Sequence, residues 1–478
     1  MDAQIERFKT ALGIDTSWPE NGSPDNAEGK RAEGELTAFQ DFLARSFPLF
    51  HRTAERTVPG PYGLLYRWTA AAAAGVDGAA KPTQRRTADI GGQAEPVLFL
   101  AHYDVVPAER DQWTVDPFGG IVQDGFLYGR GAVDTKNTLM GLMEAAEALV
   151  ASGFEPTRDI WFAFGGDEER SGKKGAQYMA AWFAEQGIHF SWALDEGSIV
   201  ADGMIGGIRS PLALIGVEEK GFLDIELSVR QKPGHASRPP RVQAVELLAR
   251  SLCRIARRPF PFALTPAVEA FFSGLAELTR AEQPGAMGRV RAFVMSRARA
   301  FGPLFFAFSG GSPETSSMMR TTVAMTQLFG SPADNVLPSQ VRAILNLRLL
   351  PGWTIAQAVE HVRRAVRDDR VLVRPSPYRD ANDPLPTSLR AARGEEAGWT
   401  ELKAAAESIF PEAAVLPFLV TATTDSRHYG ALCGQLYRFG PVSLTKDELD
   451  RVHGHDERIS LANYSQGIAF FTRLIEAL

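Results

Sequence analysis

The sequence predicts an α/β protein with a mainly parallel sheet and a smaller α+β domain inserted into it. Three observations predict this. Apolar runs at Val97–Ala101, Arg158–Gly165 and Phe190–Leu194 have the near-continuous hydrophobicity of strands buried on both faces. Helical patterns over Asn137–Ser152 and Gly172–Gln186 separate them, the alternation of a parallel sheet. From about Val217 the pattern changes, and it returns to α/β character at about Ser376. One domain is therefore expected from residues 1–216 and 376–478, with 217–375 inserted.

At 478 residues the chain is too long for one ordinary core. Hydrophobic residues make up 45% and charged residues 23%, an ordinary globular balance. A net charge of −6 and the lack of any nucleic-acid-binding signature argue against a nucleic-acid surface. No apolar run approaches a membrane span, and the first residues show neither a basic n-region nor an apolar h-region, so the expected location is the cytoplasm. The two cysteines, Cys253 and Cys433, have no CxxC or Cys/His neighbour. Any bound metal would therefore take His and carboxylate ligands.

In order along the chain, residues 1–34 read as an irregular arm with at most one short helix, given Pro19, Asn21-Gly22 and Ser23-Pro24. Leu36, Phe39, Phe42 and Leu43 have a helical period, ended or kinked by Pro48. Tyr62–Ala71 suggests a strand, 70–92 a surface turn and loop, and Pro107–Gly125 a second loop. In the inserted part, Leu223, Ile225, Leu227 and Val229 alternate with Asp224, Glu226 and Ser228, as in a strand with one wet face. A helix comes next at about Val242–Arg257, then strands at Thr321–Phe329 and Gln340–Leu350, a helix at Thr354–Asp368 and a strand at Val371–Arg374. The order β-α-β-β-α-β resembles a ferredoxin-like sandwich. It is interrupted by 259–320, an apolar and basic stretch read as packing helices. A helix at Trp399–Phe410, a strand at Ala414–Leu419, a polar loop at Thr421–Arg427 and a helix at Leu461–Leu478 complete the chain.

Polar residues cluster where strands end. Ligands of such sheets bind beyond the strand C-termini, where the sequence places His102-Tyr103-Asp104, Glu168-Glu169 and Asp195-Glu196. Asp134 precedes a helix, and His453 and His455 precede the last one. Each site alone reads as a turn, a cap or a solvated His. Together, His102, Asp134, Glu168, Glu169, Asp195 and His453 supply two imidazoles and four carboxylates, a set suited to two divalent ions with a bridging carboxylate and a free Glu as base.

The blocks HYDVVP, GRGAVDTK, GGDEERSG, ALDEG, GHAS, NVLPSQVRAILNLR and HGHDER, in this order from about Leu98 to Glu457, resemble the dinuclear zinc metallopeptidases related to aminoacylase, carboxypeptidase S and glutamate carboxypeptidase. DEG and the long insertion after GHAS are most similar to the carboxypeptidase S branch, which includes N-fatty-acyl-amino-acid hydrolases. The resemblance implies a zinc-exopeptidase-like catalytic domain with an inserted ferredoxin-like lid that forms a homodimer. It implies two Zn²⁺ ions, with Co²⁺ or Mn²⁺ able to substitute. His102 and Asp195 would hold one, Glu169 and His453 the other, and Asp134 both. Relatives differ over Asp195 or Glu196 as ligand; Asp195 is chosen because it directly follows the apolar strand. Asp104 would orient His102, and Glu168 would be the general base. His235 would stabilise the oxyanion from a partner subunit, and Arg348, with Asn335, would grip a substrate carboxylate. The Asp134–Thr135 peptide would be cis. His455 has no role beyond a supporting or exposed one, and Thr135 stands where many relatives carry a second Asp.

The implied activity is hydrolysis of an amide next to a free carboxylate, in N-acyl amino acids or small peptides. The alternatives are a dipeptidase or carboxypeptidase rather than an aminoacylase, a non-catalytic dimeric binding protein on the same fold, and a dinuclear phosphoesterase. The block order and Arg348 favour a carboxylate substrate over the last.

Overall fold

The computed structural model describes residues 1–19, 26–71, 94–309, 312–331, 333–377, 380–385 and 389–478. The loop expected at 70–92 lies almost wholly outside them. The chain divides into two compact units: Met1–Val217 with Arg393–Pro417 and Thr424–Leu478, and Glu218–Ala392 with Phe418–Thr423.

The first unit is built on a ten-stranded sheet. Its order is Glu55–Thr57, Gly63–Trp68, Ile160–Gly165, Val97–His102, Phe190–Asp195, Cys433–Arg438, Leu212–Glu219, Val200–Ala201 and Ser443–Leu444, with Ala414–Val420 also pairing on Leu212–Glu219. The centre is parallel: Val97–His102 pairs with Ile160–Gly165 and Phe190–Asp195, and the latter pairs with Cys433–Arg438. Antiparallel pairs flank it, so the sheet is mixed rather than mainly parallel. Every residue of Val97–His102 and Ile160–Gly165 is buried, as their unbroken apolar character requires. His102 pairs with Gly165, so these strands end level and deliver their succeeding residues to one sheet edge.

Helix Lys136–Ala151 is rich in Leu, Met and Ala and is buried over most of its surface. It packs on the C-terminal helix Leu461–Glu476, where a Cβ on Gly141 would come within 3.0 Å of the Phe471 ring. Of the irregular arm expected at 1–34, Asn21-Gly22 and Ser23-Pro24 lie outside the described residues, and the described part is largely helical. Helix Asp2–Gly13 buries Phe8, Ala11 and Leu12, and helix Ala27–Ser46 begins well before Glu35, capped by Asn26. Pro48 ends that helix and starts the next, Pro48–Thr53, where its missing N–H costs nothing. A small antiparallel sheet of Ile121–Gln123, Phe126–Tyr128 and Arg458–Ser460 brings the segment around His453 beside the segment leading to Asp134.

The second unit carries an antiparallel sheet of order Thr322–Phe329, Gln340–Leu349, Gly221–Arg230 and Leu372–Pro375. Helices Ala244–Ala256 and Ile355–Val366 share an apolar core with it, centred on Leu223, Ile225, Leu347, Leu248 and Val362. Thr354 and Gln357 form a capping box at the second helix. The wet face expected on Gly221–Arg230 is absent, because Asp224, Glu226 and Ser228 are buried. The strand is central, and its polar side is covered by its neighbours. Arg374 donates to Glu226 at 2.8 Å, Arg342 lies 3.4 Å from it, and Asn346 donates to Asp224 at 2.8 Å.

The stretch between Pro259 and Arg320 forms helices Pro266–Glu282, Ala286–Met295, Ala298–Ser309 and Pro313–Met319. The first packs as expected, but Ala286–Met295 buries only Gly288 and Ala292 and leaves Met287, Val290 and Phe293 exposed. Among the described residues no helix is long and apolar enough to cross a membrane.

Candidate metal centre

Four segments of the first unit meet at the level ends of the central strands. Val97–His102 supplies His102 and runs on to Asp104. Ile160–Gly165 leads into a 3₁₀ turn, Glu168–Arg170. Phe190–Asp195 ends in Asp195-Glu196, and the turn before helix Lys136–Ala151 carries Asp134. The Asp134–Thr135 peptide is cis, as expected. His453 completes the group from a tight turn in which its own φ is 61°, uncommon for a residue other than glycine.

Asp134 stands between the two histidines. One of its oxygens lies 3.1 Å from Nε2 of His102, and the other 2.9 Å from Nε2 of His453. Glu196 lies 3.3 Å from Nε2 of His102, and Glu169 3.2 Å from Nε2 of His453. Two groups of potential ligands result, His102–Asp134–Glu196 and Asp134–Glu169–His453, sharing Asp134.

Asp195, chosen from the sequence, is not in either group. It is buried, and its oxygens accept the backbone N–H of Glu196 at 2.9 Å and of Ser426 at 2.7 Å. It holds the strand end, and Glu196 presents its carboxylate instead. The sequence signal, that Asp195 directly follows the apolar strand, marks the strand end but not which carboxylate joins the group. Asp104 lies against both His102 and the turn that carries Glu168 and Glu169. Nδ1 of His102 faces the Asp104 backbone carbonyl at 2.9 Å, with the carboxylate at 3.5 Å. That carboxylate accepts the N–H groups of Glu168 and Glu169, each at 3.1 Å, and so fixes the turn that carries both.

The electrostatics fit a cation. Both ring nitrogens of His102 face oxygens, which a neutral imidazole cannot satisfy with its single N–H. Burial opposes ionisation of Asp134, but the two imidazoles outweigh it and hold the carboxyl below its usual range. Hydrogen bonds with Asp134 and Glu169 lift His453 to about 11. Burial, with Asp134 nearby, lifts Glu196 to about 7. Two imidazoles and three carboxylates thus gather their donor atoms in two groups that share Asp134. Imidazole and carboxylate donors without thiolate suit zinc and similar divalent ions. Glu168 lies beside both groups. Burial lifts it well above the ordinary carboxylate range; His102 opposes this, while Asp425, Glu169 and Glu196 add to it. An elevated carboxyl of this kind suits proton transfer near neutral pH.

His455 stands apart, half exposed and 3.9 Å from Glu109. The other expected site residues lie in the second unit. His235 is exposed on a two-stranded ladder, where Gly234–His235 pairs with Val336–Leu337, and Asn335 joins it through its backbone carbonyl, which accepts the Ala236 N–H at 2.9 Å. Arg348 lies on Gln340–Leu349 with its guanidinium 5.0 Å from the centre of the Phe222 ring and 3.4 Å from the Thr423 hydroxyl. The residues the sequence did not single out are Asp425, Arg130 and Glu457; Glu196 was there only as the alternative to Asp195. Arg130 and Glu457 sit inside two of the recognised blocks, GRGAVDTK and HGHDER, but a lone Arg or Glu carries no signal of burial.

Residues 98–477 match the model of peptidase family M20/M25/M40, and the chain belongs to that family. The N-fatty-acyl-amino acid synthase/hydrolase PM20D1 of Mus musculus is 34% identical over 444 residues, covering 92% of this chain and 82% of that protein. A probable carboxypeptidase S-like 2 of Dictyostelium discoideum is 31% identical over 455 residues, 95% of this chain and 81% of that protein. The crystal structure of human carnosine dipeptidase 1 superposes with a TM-score of 0.64 at 16% identity, covering 100% of this chain and 96% of that one, a likeness of fold.

Proposed function

We propose that this member of the M20 family is a dinuclear zinc amidohydrolase that cleaves the amide bond next to a free carboxylate, with N-acyl amino acids as the leading substrate class. The observation that carries the reading is the pair of His/carboxylate groups sharing Asp134, with Glu168 beside them. His102 and Glu196 would hold one ion, His453 and Glu169 the other, and Asp134 both. The ions, when bound, would polarise the amide carbonyl and acidify a water. Glu168 would take the proton of the attacking water and return it to the leaving nitrogen. The Asp104 carboxylate would keep Glu168 in place through its backbone. The second unit, read as a ferredoxin-like lid, would supply Arg348 and Asn335 for the substrate carboxylate, and His235 for the oxyanion in the site of a partner subunit. The likeness to PM20D1 of Mus musculus over most of both chains supports N-acyl amino acids over dipeptides.

The test is a hydrolysis screen of N-acyl amino acids, their carboxamides and dipeptides, on protein stripped with chelator and reloaded with Zn²⁺ or Co²⁺. Metal-dependent hydrolysis of N-acyl amino acids, and not of their carboxamides, is expected. Preference for dipeptides would make it a dipeptidase, and full activity in metal-free protein would overturn the metal mechanism.

A further inference from the structure

The two loops that present Asp134 and His453 are more than 300 residues apart in sequence, and one buried ion pair joins them. Glu457 and Arg130 are both buried, at 0% and 2% exposure, and their charges meet at 2.7 Å. The Glu457 carboxylate also accepts three backbone N–H groups of the loop before Asp134. These are Gly131 at 3.1 Å, Val133 at 2.8 Å and Asp134 itself at 3.1 Å. The other arm of the Arg130 guanidinium donates to the carbonyls of Gly454 at 2.8 Å and His453 at 3.3 Å. Its flat face lies over the Trp113 ring, 5.3 Å from the centre.

We propose that Arg130 and Glu457 are positioning residues that set the separation of Asp134 and His453, and so govern binding of the ion at the Asp134–Glu169–His453 group. This rests on reading the two groups as a metal centre. Glu457 fixes the Asp134 loop by three amides, and Arg130 fixes the left-handed His453 turn by two carbonyls. The ion pair couples the two. The other group's private ligands are held differently. His102 is held by the Asp104 carbonyl, and Glu196 follows Asp195, whose oxygens are bound by other amides. The fork geometry matters. A lysine at 130 keeps the charge but, with its three donors on one nitrogen, lacks the planar fork that spans Glu457 and both carbonyls. Partners that orient metal ligands typically change metal affinity by about 10–100-fold when mutated.

The experiment is a stepwise Co²⁺ titration of chelator-stripped protein, followed by visible absorption, with Zn²⁺ affinities from chelator competition. Thermal unfolding of the stripped protein runs in parallel. Wild type is expected to take two ions. Arg130→Lys is expected to keep one at wild-type affinity and to weaken the other by about 10–100-fold. Glu457→Gln, which frees the Asp134 loop, is expected to weaken both. Wild type taking fewer than two ions would defeat the dinuclear reading itself. With two ions in wild type, unchanged affinities in Arg130→Lys overturn the inference, and so does equal weakening of both ions. Lower stability of the stripped variant with unchanged affinities assigns the pair to folding alone and overturns it too. Should Glu457→Gln fail to fold, Arg130→Lys, which leaves the buried charge balance intact, decides the matter.

Discussion

Replacing Asp104 by Asn separates what its side chain does from what its backbone does. The side chain is fully buried, and its two oxygens accept the amides of Glu168 and Glu169. Asn keeps the shape and one acceptor oxygen, but turns an NH₂ toward the second amide. One charge-assisted hydrogen bond is lost and one buried N–H is left unpaired, a cost of about 1.5–3 kcal/mol. Asp104→Ala removes both acceptors and is expected to cost roughly twice that. The backbone carbonyl that faces Nδ1 of His102 is retained in both variants. Urea unfolding of stripped protein should therefore rank wild type above Asn above Ala. Zn²⁺ affinity should fall most at the ion that uses Glu169, by about 10-fold or more. The His102 ring, followed by its ¹⁵N shifts, should keep the same protonated nitrogen. An Asn variant as stable as wild type, or a changed His102 tautomer in either variant, would refute this division of labour.

Glu168→Gln should lower kcat by at least about 10²-fold with metal content unchanged, measured by single-turnover hydrolysis and elemental analysis; wild-type kcat would remove Glu168 from the chemistry. Glu196→Gln should cost one ion in a metal titration. Asp195→Asn, whose oxygens are used by backbone amides, should lower stability but keep two ions, and the opposite pattern would restore Asp195 as the ligand. Burial, with Arg427 beside it, pushes His428 down to about 4 from its ordinary 6.5, while its Nε2–H donates to the Ser171 carbonyl at 3.1 Å. The folded state thus favours neutral His428, so its contribution is intact above pH 6.5 and is lost as pH falls toward 4. His428→Gln should flatten that part of the stability–pH curve relative to wild type, and an identical slope in both proteins would show that His428 does not titrate on unfolding.

Features with a local cause were legible in the amino-acid order. Continuous apolar runs marked the three central strands, because a strand buried on both faces has no polar side to show. The strand ends then located His102, Glu168 and Glu169, since chain leaving a parallel sheet places its next residues at one edge. The helix starting at Thr354 and the helix break at Pro48 were equally legible, each set by local residues.

Features that depend on neighbours distant in the chain were not legible there. Period-two alternation predicted a wet face on Gly221–Arg230, but arginines from two other strands cover Glu226. The first helix, Asp2–Gly13, is held by burial of Phe8, Ala11 and Leu12 within the first unit. Buried Lys136 donates to the carbonyls of Ala11 and Ile14 at that helix's end. Asp195 and Glu196 are indistinguishable as letters. The amide of Ser426, from the far end of the chain, engages Asp195, while Glu196 lies in the group with His102 and Asp134. The partnership of Arg130 with Glu457 arises in the same way. An ion pair across 327 positions leaves no periodic trace, because what makes it possible is burial shared by two loops that meet only in the folded protein.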